Sequence, residues 1–324
     1  MIEAGWVGRS HIGFSGVSAE LLPPTLPVLT GLGEVPSAQD WLARLPSLID
    51  DVREAWQLTV SAPIHGGSCS WVAPAVRPDG THAIVKIGWP HREMFGEPLA
   101  LRAWAGRSAV LLYDHDPQRH ALLLERCEPG TPLAAPDDDA GPRLRAACAV
   151  LRDLWEAPPV PGLEDLATVM GEWAELAEER MDRLRPAFDP GLVAYAVDLL
   201  RTLPASAGRT VVLHGDANPG NFLAAQRRPW LAIDPKPMLG DPAYDPWPLL
   251  GQVDDAFAYP HPGPVVRDRI ARLADELGLD RARVAAWCIA RGVEVALYDV
   301  DHGDLTAAAA EMRAARVVAD VGDG

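Results

Sequence analysis

Cysteine is scarce in this chain of 324 residues, and its placement excludes two kinds of site. The four cysteines are widely scattered and form no CxxC pair, so neither a zinc site nor a disulfide framework is indicated. Long apolar runs are also absent: residues 1–16 have no continuous apolar stretch, and nowhere do eighteen apolar residues follow one another. We therefore expect no membrane span and a cytoplasmic protein with reduced thiols.

Positive charge is also in short supply. Acidic residues number 45 against 29 basic ones, which gives a formal net charge of −16 and no Lys/Arg stripe. Such a surface repels a polyanion, which argues against nucleic acid as a partner, whereas a small cationic substrate would be attracted. Apolar residues make up 48% and charged residues 23%, which is typical of a compact globular protein. The length suits two lobes. It does not indicate an oligomeric state.

The hydrophobic pattern changes along the chain and predicts an α+β fold. Residues 1–56 are interpreted as a leader, irregular up to about Ser37, followed by a helix that Pro46 should kink or split. Residues 57–126 contain short β-like runs and one helical stretch around 93–104, which predicts a small antiparallel lobe. Residues 127–324 show mainly the 3.6-residue period of helices, with one β interruption at 210–234, and predict a second, mostly helical lobe.

One segment carries a pattern typical of phosphoryl transfer. At 211–222 an apolar strand leads into a polar loop in which Asn221 follows Asp216 by five positions, the Asp-to-Asn spacing of the protein-kinase catalytic loop. Thirteen residues after Asn221, a second strand ends at Asp234. Asp216 is the candidate to accept or align the proton of the attacking hydroxyl, and Asn221 and Asp234 are the candidate Mg²⁺ ligands. Asn218 is interpreted as a plain turn residue.

These motifs resemble the aminoglycoside phosphotransferase superfamily, and within it the branch of streptomycin 6-kinases and hydroxyurea-type resistance kinases. The matching segments are 214–221, 233–236 and 240–245, and the resemblance covers roughly residues 56–247. It implies a bilobal protein-kinase-like fold and an ATP- or GTP-dependent, Mg²⁺-dependent transfer to a hydroxyl of a small molecule. The acceptor that it implies is an aminoglycoside of the streptomycin type, with antibiotic resistance as the result. It also implies that His214 supports the loop by hydrogen bonds rather than taking part in the chemistry.

The nucleotide-binding residues are predicted partly from this resemblance. Lys86, the only lysine upstream of Lys236, ends an alternating strand and is the candidate to reach the α- and β-phosphates. By family position its partner is Glu97, with Glu93 as the rival. Lys236 is interpreted either as a phosphate contact or as a partner of a nearby acid, Asp241 or Asp245. The phosphate loop and the purine-facing hinge are predicted at Gly66, Gly67 and Ser68, and at Glu125 and Cys127.

The acceptor is expected in the helical lobe, where carboxylates are plentiful. Seven acids are candidates for guanidino or ammonium groups, although solvated helix faces are the commoner role of such residues: Glu172, Glu175, Glu178, Glu179, Glu294, Asp299 and Asp301. Two alternatives to an aminoglycoside kinase stay open, namely a kinase of another small alcohol, such as a metabolite or a hydroxyurea-like molecule, and a nucleotide-binding pseudokinase. The intact Asp216, Asn221 and Asp234 argue against the pseudokinase.

Overall fold

The structure is a computed structural model, and it describes residues 20–134 and 139–322. The described chain forms two compact units. The first contains the described residues up to Met94 together with Leu112–Arg126, and the second contains Phe95–Leu111 and the described residues from Cys127 onward. The lobe boundaries at residues 56/57 and 126/127 stay predictions.

A five-stranded sheet forms the centre of the first unit. Its strands, in chain order, are β1 Thr59–Val60, β2 Ser70–Val76, β3 His82–Gly88, β4 Leu112–Asp116 and β5 Ala121–Glu125. They are arranged in the order β1-β2-β3-β5-β4, and all neighbours are antiparallel. Strand β3 is central, and Lys86 in it pairs with Val72 of β2 on one side and with Leu122 of β5 on the other.

From residue 20 onward, where the description of the chain begins, two α-helices precede this sheet: α1 Pro27–Leu32 and α2 Gln39–Ala55. The expectation of an irregular segment up to Ser37 is wrong for part of this stretch, because α1 lies within it and the apolar residues around it are buried. Leu21, Leu26 and Val28 join one core cluster with α2 and with strands of the sheet. Helix α2 runs through Pro46 without being split, and its buried face follows the predicted helical spacing. Residues 1–19 of the predicted leader lie outside the described residues.

The second unit is mainly helical. Its helices are α3 Glu97–Trp104, α4 Ala140–Leu154, α5 Leu166–Leu184, α6 Pro190–Thr202, α7 Trp247–Gln252, α8 Pro262–Leu277, α9 Arg281–Asp301 and α10 Leu305–Gly322. Helix α9 is the most enclosed of these, with Trp287, Val293 and Leu297 each at most 1% exposed. Within residues 20–134 and 139–322, no helix is both long and apolar enough to cross a bilayer.

Short strands interrupt the helices of the second unit and carry the polar loops predicted from the sequence. They are β6 Glu164–Asp165, β7 Val211–Val212, β8 Phe222–Ala224, β9 Trp230–Ala232 and β10 Met238–Gly240. Strand β10 lies between β6 and β7, and β8 pairs with β9 as a hairpin. As a result, the loop from β7 to β8 and the loop from β9 to β10 lie side by side.

Candidate active site

The loop between β7 and β8 holds Asp216, and a close approach to the neighbouring loop fixes its path. The amide N–H of Lys236 donates to the carbonyl of His214 at 2.8 Å. Gly215 has φ +79°, and a Cβ at this position would lie 1.8 Å from the Lys236 carbonyl oxygen. Only glycine fits so close to another backbone. The backbone that carries the Asp216 carboxylate therefore belongs to a loop with little freedom to move.

Side-chain donors surround the partly exposed carboxylate of Asp216. Asn218 Nδ2 donates to Oδ1 at 3.0 Å, and Asn221 Nδ2 lies 3.3 Å from Oδ2 and 3.0 Å from the Asp216 carbonyl oxygen. Lys236 Nζ lies 3.7 Å from Oδ2. The structure thus brings together three of the predicted site residues, Asp216, Asn221 and Lys236.

His214 connects this loop to the loop that carries Asp234. Its Nδ1 accepts from the Asp216 amide at 3.3 Å, so Nε2 carries the proton and donates to the Ile233 carbonyl at 3.1 Å. The ring is fully enclosed and is stacked on Trp104 of α3 at 6.3 Å. Burial lowers the pKa of His214, which keeps the imidazole neutral and preserves this tautomer.

Asp234 and Asn221 have the donor chemistry of a magnesium site. The Ile233 amide donates to the Asn221 carbonyl at 2.9 Å, which places Asp234 beside Asn221. Because Asn221 Nδ2 faces the oxygens of Asp216, its Oδ1 faces away from them. One carboxylate with one amide oxygen fits Mg²⁺, which usually takes one or two carboxylates and completes its shell with phosphates and water. The described residues contain no cluster of three or more His, Cys, Asp or Glu side chains suited to a metal ion.

A second carboxylate, that of Asp245, is fully buried and binds the backbone of the loop between β7 and β8. Asp245 accepts from the amide of His214 at 3.0 Å, from the amide of Gly215 at 2.8 Å and from Trp155 Nε1 at 2.9 Å. Burial raises the pKa of the Asp245 carboxyl, and His214 and these three donors oppose that shift. Asp245 therefore fixes the backbone on the N-terminal side of Asp216.

Asp241 has a similar bracing role farther from the loop. Its Oδ2 accepts from Arg283 Nε at 2.6 Å and from Trp287 Nε1 at 2.5 Å, both on α9. Lys236 Nζ lies 3.7 Å from Asp216 Oδ2. The interpretation of Lys236 as a phosphate contact or as a partner of Asp241 or Asp245 stays a prediction.

The predicted nucleotide-binding residues belong to both units. In the first unit Lys86 is 9% exposed, and Gly66, Gly67 and Ser68 form the turn before β2. A Cβ on Gly67 would lie 2.5 Å from the Ser70 carbonyl oxygen, so this turn needs glycine. Glu125 ends β5, and Cys127 begins the long stretch of the second unit.

Glu97 and its rival Glu93 have different surroundings. Glu97 is the first residue of α3 and is 2% exposed, and Pro98 after it occupies a helix position that tolerates a missing N–H. The side chain of Glu93 is 44% exposed and lies 3.9 Å from His91 Nε2. Both acids stay candidates for the partner of Lys86.

Comparison with known proteins identifies the family. The family model described as aminoglycoside/hydroxyurea antibiotic resistance kinase matches residues 55–303. A streptomycin 6-kinase from Streptomyces glaucescens is 37% identical over 266 residues, covering 82% of this chain and 86% of that protein. A hydroxyurea phosphotransferase from Kitasatospora aureofaciens is 34% identical over 283 residues, covering 87% and 81%.

This chain belongs to the aminoglycoside/hydroxyurea antibiotic resistance kinase family. The predicted resemblance is confirmed, and with it a phosphotransferase that acts on an alcohol group of a small molecule. The predicted protein-kinase-like α+β fold is confirmed as well. A choline kinase from Streptococcus pneumoniae superposes with a TM-score of 0.59 at 13% identity, covering 86% of this chain and 99% of that one.

Several acids proposed for the acceptor of this kinase are already engaged within the second unit. Glu178 pairs with Arg201 at 2.7 Å, and Glu179 pairs with Arg183 at 2.6 Å. Arg180 on α5, which the sequence analysis did not single out, bridges two acids of α9. It lies 3.0 Å from Glu294 and 3.3 Å from Asp301. These four acids therefore form ion pairs within the second unit, and the acceptor role of all seven stays a prediction.

Neutralising Glu294 is expected to destabilise the fold of this kinase rather than only weaken acceptor binding. The side chains of Glu294 and Arg180 are each 9% exposed, so Glu294→Gln leaves a buried guanidinium without its main counter-charge. We expect a loss of about 3 kcal/mol in the free energy of unfolding, measured by denaturant titration. The matched control is Glu178→Gln, since Glu178 and Arg201 are both exposed and should contribute less than about 1 kcal/mol. Equal losses in the two variants would contradict this account.

Proposed function

We propose that this kinase transfers the γ-phosphoryl group of ATP to a hydroxyl of an aminoglycoside of the streptomycin type and so gives resistance to it. The observation that carries the proposal is the Asp216 carboxylate, 27% exposed and held by Asn218, Asn221 and Lys236 on a constrained loop. Identity of 37% to a streptomycin 6-kinase supports the acceptor class. Because ATP is kept inside cells, the proposal places the enzyme in the cytoplasm.

The residues of the second unit suit the steps of such a transfer. The acceptor oxygen attacks the γ-phosphorus as the bond from phosphorus to the bridging oxygen breaks, and ADP leaves. The hydroxyl proton passes to Asp216, which also aligns the attacking oxygen. Lys236 Nζ, 3.7 Å from Asp216 Oδ2, supplies positive charge beside the path of the phosphoryl group. Asp234 and Asn221 would hold Mg²⁺, which would offset the negative charge of the phosphates.

The nucleotide-binding roles in the proposal follow family position. Lys86 would contact the α- and β-phosphates, and by family position its partner would be Glu97, with Glu93 as the alternative. The turn at Gly66, Gly67 and Ser68 would offer backbone N–H groups to phosphate. Glu125 and Cys127 would present backbone groups to the purine.

A panel of acceptors tests the acceptor class. Purified enzyme would be assayed for ADP release with streptomycin, with an aminoglycoside that lacks guanidino groups, with hydroxyurea and with no acceptor. We expect kcat/KM to be at least about tenfold higher for streptomycin than for the others, a difference of roughly 1.4 kcal/mol in transition-state binding. A clear preference for hydroxyurea would instead support the second candidate function, which the 34% identical hydroxyurea phosphotransferase motivates.

Asp234→Asn is expected to weaken binding of the Mg²⁺–nucleotide complex about tenfold, or roughly 1.4 kcal/mol. The reason is that the variant replaces the one carboxylate in the proposed donor set by a neutral amide. Calorimetric titration with ATP in the presence of Mg²⁺ measures the effect. The same titration in chelator is the control, and there the two proteins should bind equally. Unchanged affinity in Mg²⁺ would place the metal ligand elsewhere.

A further inference from the structure

Asn218 lies two residues after Asp216, and both ends of its side chain are engaged. Its Oδ1 accepts from the Gly220 amide at 2.9 Å and caps the short 3-10 helix Pro219–Asn221. Its Nδ2 donates to Asp216 Oδ1 at 3.0 Å. The interpretation of Asn218 as a plain turn residue explains the first bond but leaves the second without a reason.

The orientation of this amide follows from its partners. A backbone N–H can only donate, so the oxygen of Asn218 must face Gly220. The NH₂ group is then turned toward Asp216, whose ionised carboxylate can only accept. A hydrogen bond to an ionised group is shorter and stronger than a neutral one.

The hydrogen bond from Asn218 to Asp216 is important because the χ2 torsion of an aspartate side chain has a broad distribution of values. The side chain alone therefore does not fix the plane of its carboxylate. Asn221 and Lys236 lie beside Oδ2, and Asn218 holds Oδ1, so the carboxylate plane is fixed from both of its oxygens. A displacement of about 1 Å in a reacting group can cost roughly 100-fold in rate.

We propose that Asn218 is a positioning residue, whose Nδ2 holds the Asp216 carboxylate in the orientation that receives the acceptor hydroxyl. The inference rests on the proposed function, since that function assigns Asp216 its role. Asn218 touches neither substrate nor nucleotide in this account and acts only through Asp216.

Two variants separate the turn from the positioning role. Serine and aspartate are both good N-cap residues, so Asn218→Ser and Asn218→Asp keep the cap on Gly220. A serine side chain is too short to form hydrogen bonds with Gly220 and with Asp216 at the same time. An aspartate would place a second carboxylate next to that of Asp216, where the two negative charges repel each other. With streptomycin as acceptor, we expect kcat to fall about 10-fold in Asn218→Ser and about 100-fold in Asn218→Asp, with the KM for ATP unchanged. A role in the turn alone predicts wild-type kcat in both variants and would overturn the inference.

A double-mutant cycle on thermal unfolding tests the same contact without any substrate. Asn218→Asp should lower the melting temperature of the wild-type protein but not that of Asp216→Ala, where the opposing carboxylate is gone. An equal decrease in both backgrounds would overturn the inference. Failure of the proposed function has a different signature, because Asp216→Ala would then retain transfer. An inactive Asp216→Ala beside a fully active Asn218→Asp would refute the positioning role alone.

Discussion

Asp216→Ala is expected to lower kcat by about 10²–10⁴-fold, the usual contribution of a positioned general base. The affinity for ATP should stay close to that of the wild type, because Asp216 aligns the acceptor rather than holding the phosphates. Single-turnover transfer to streptomycin measures the first quantity, and calorimetric titration with ATP measures the second.

Two further variants make the Asp216 result interpretable. Asp216→Asn keeps the size of the side chain but removes its capacity to take a proton, so it should be nearly as inactive as the alanine variant. Asp198→Ala, on the exposed face of α6, is the control for a generic loss of negative charge and should keep full activity. Near-normal turnover in Asp216→Ala would remove Asp216 from the catalytic role.

Asp245→Ala is expected to cause the largest loss of stability among single changes near the site. Two backbone amides and the Trp155 indole would lose their acceptor in a fully buried position. Each buried donor left unsatisfied costs about 1–3 kcal/mol, so for the three donors we expect a loss of roughly 3–9 kcal/mol in the free energy of unfolding. Denaturant titration measures this loss, and Asp182→Ala on the exposed face of α5 is the control.

If Asp245→Ala does not fold, Trp155→Phe tests the same network more mildly. It removes one donor and leaves the bonds from Asp245 to His214 and Gly215 in place, so we expect a loss of about 1 kcal/mol and retained activity. An Asp245→Ala protein as stable as its Asp182→Ala control would show that this carboxylate does not anchor the loop.

The sequence predicted the parts of the site that depend on local spacing. Asp216 and Asn221 share one loop, and a strand ending in an acid follows, so short-range pattern was enough to predict that these residues lie together. The structure adds that the amides of Ile233 and Lys236 tie the two loops together. The division into an antiparallel sheet and helices was also predictable, since periods of 2 and 3.6 residues reflect which face of each element is buried.

Contacts between distant segments could not be predicted from such patterns. Trp155 and Asp245 are 90 positions apart, and Arg180 and Glu294 are 114 apart. Nothing in the spacing of either pair signals that their side chains meet, because that depends on how helices pack. The contact from Asn218 to Asp216 was missed for the opposite reason. Asparagine is so common in turns that a role in the turn was a sufficient explanation of this residue. Its second bond is visible only in three dimensions.

Transfer of the γ-phosphoryl group to a hydroxyl of streptomycin, with Asp216 as the catalytic residue, can be tested by following the γ-phosphorus of ATP. The enzyme would be incubated with Mg²⁺, streptomycin and ATP labelled in its γ-phosphate, and the products would be separated and examined by mass spectrometry and phosphorus NMR. We expect one labelled phosphate ester on a hydroxyl of streptomycin, with no such product from Asp216→Ala. Label found only as inorganic phosphate, or a phosphorylated acceptor still produced by Asp216→Ala, would contradict this expectation.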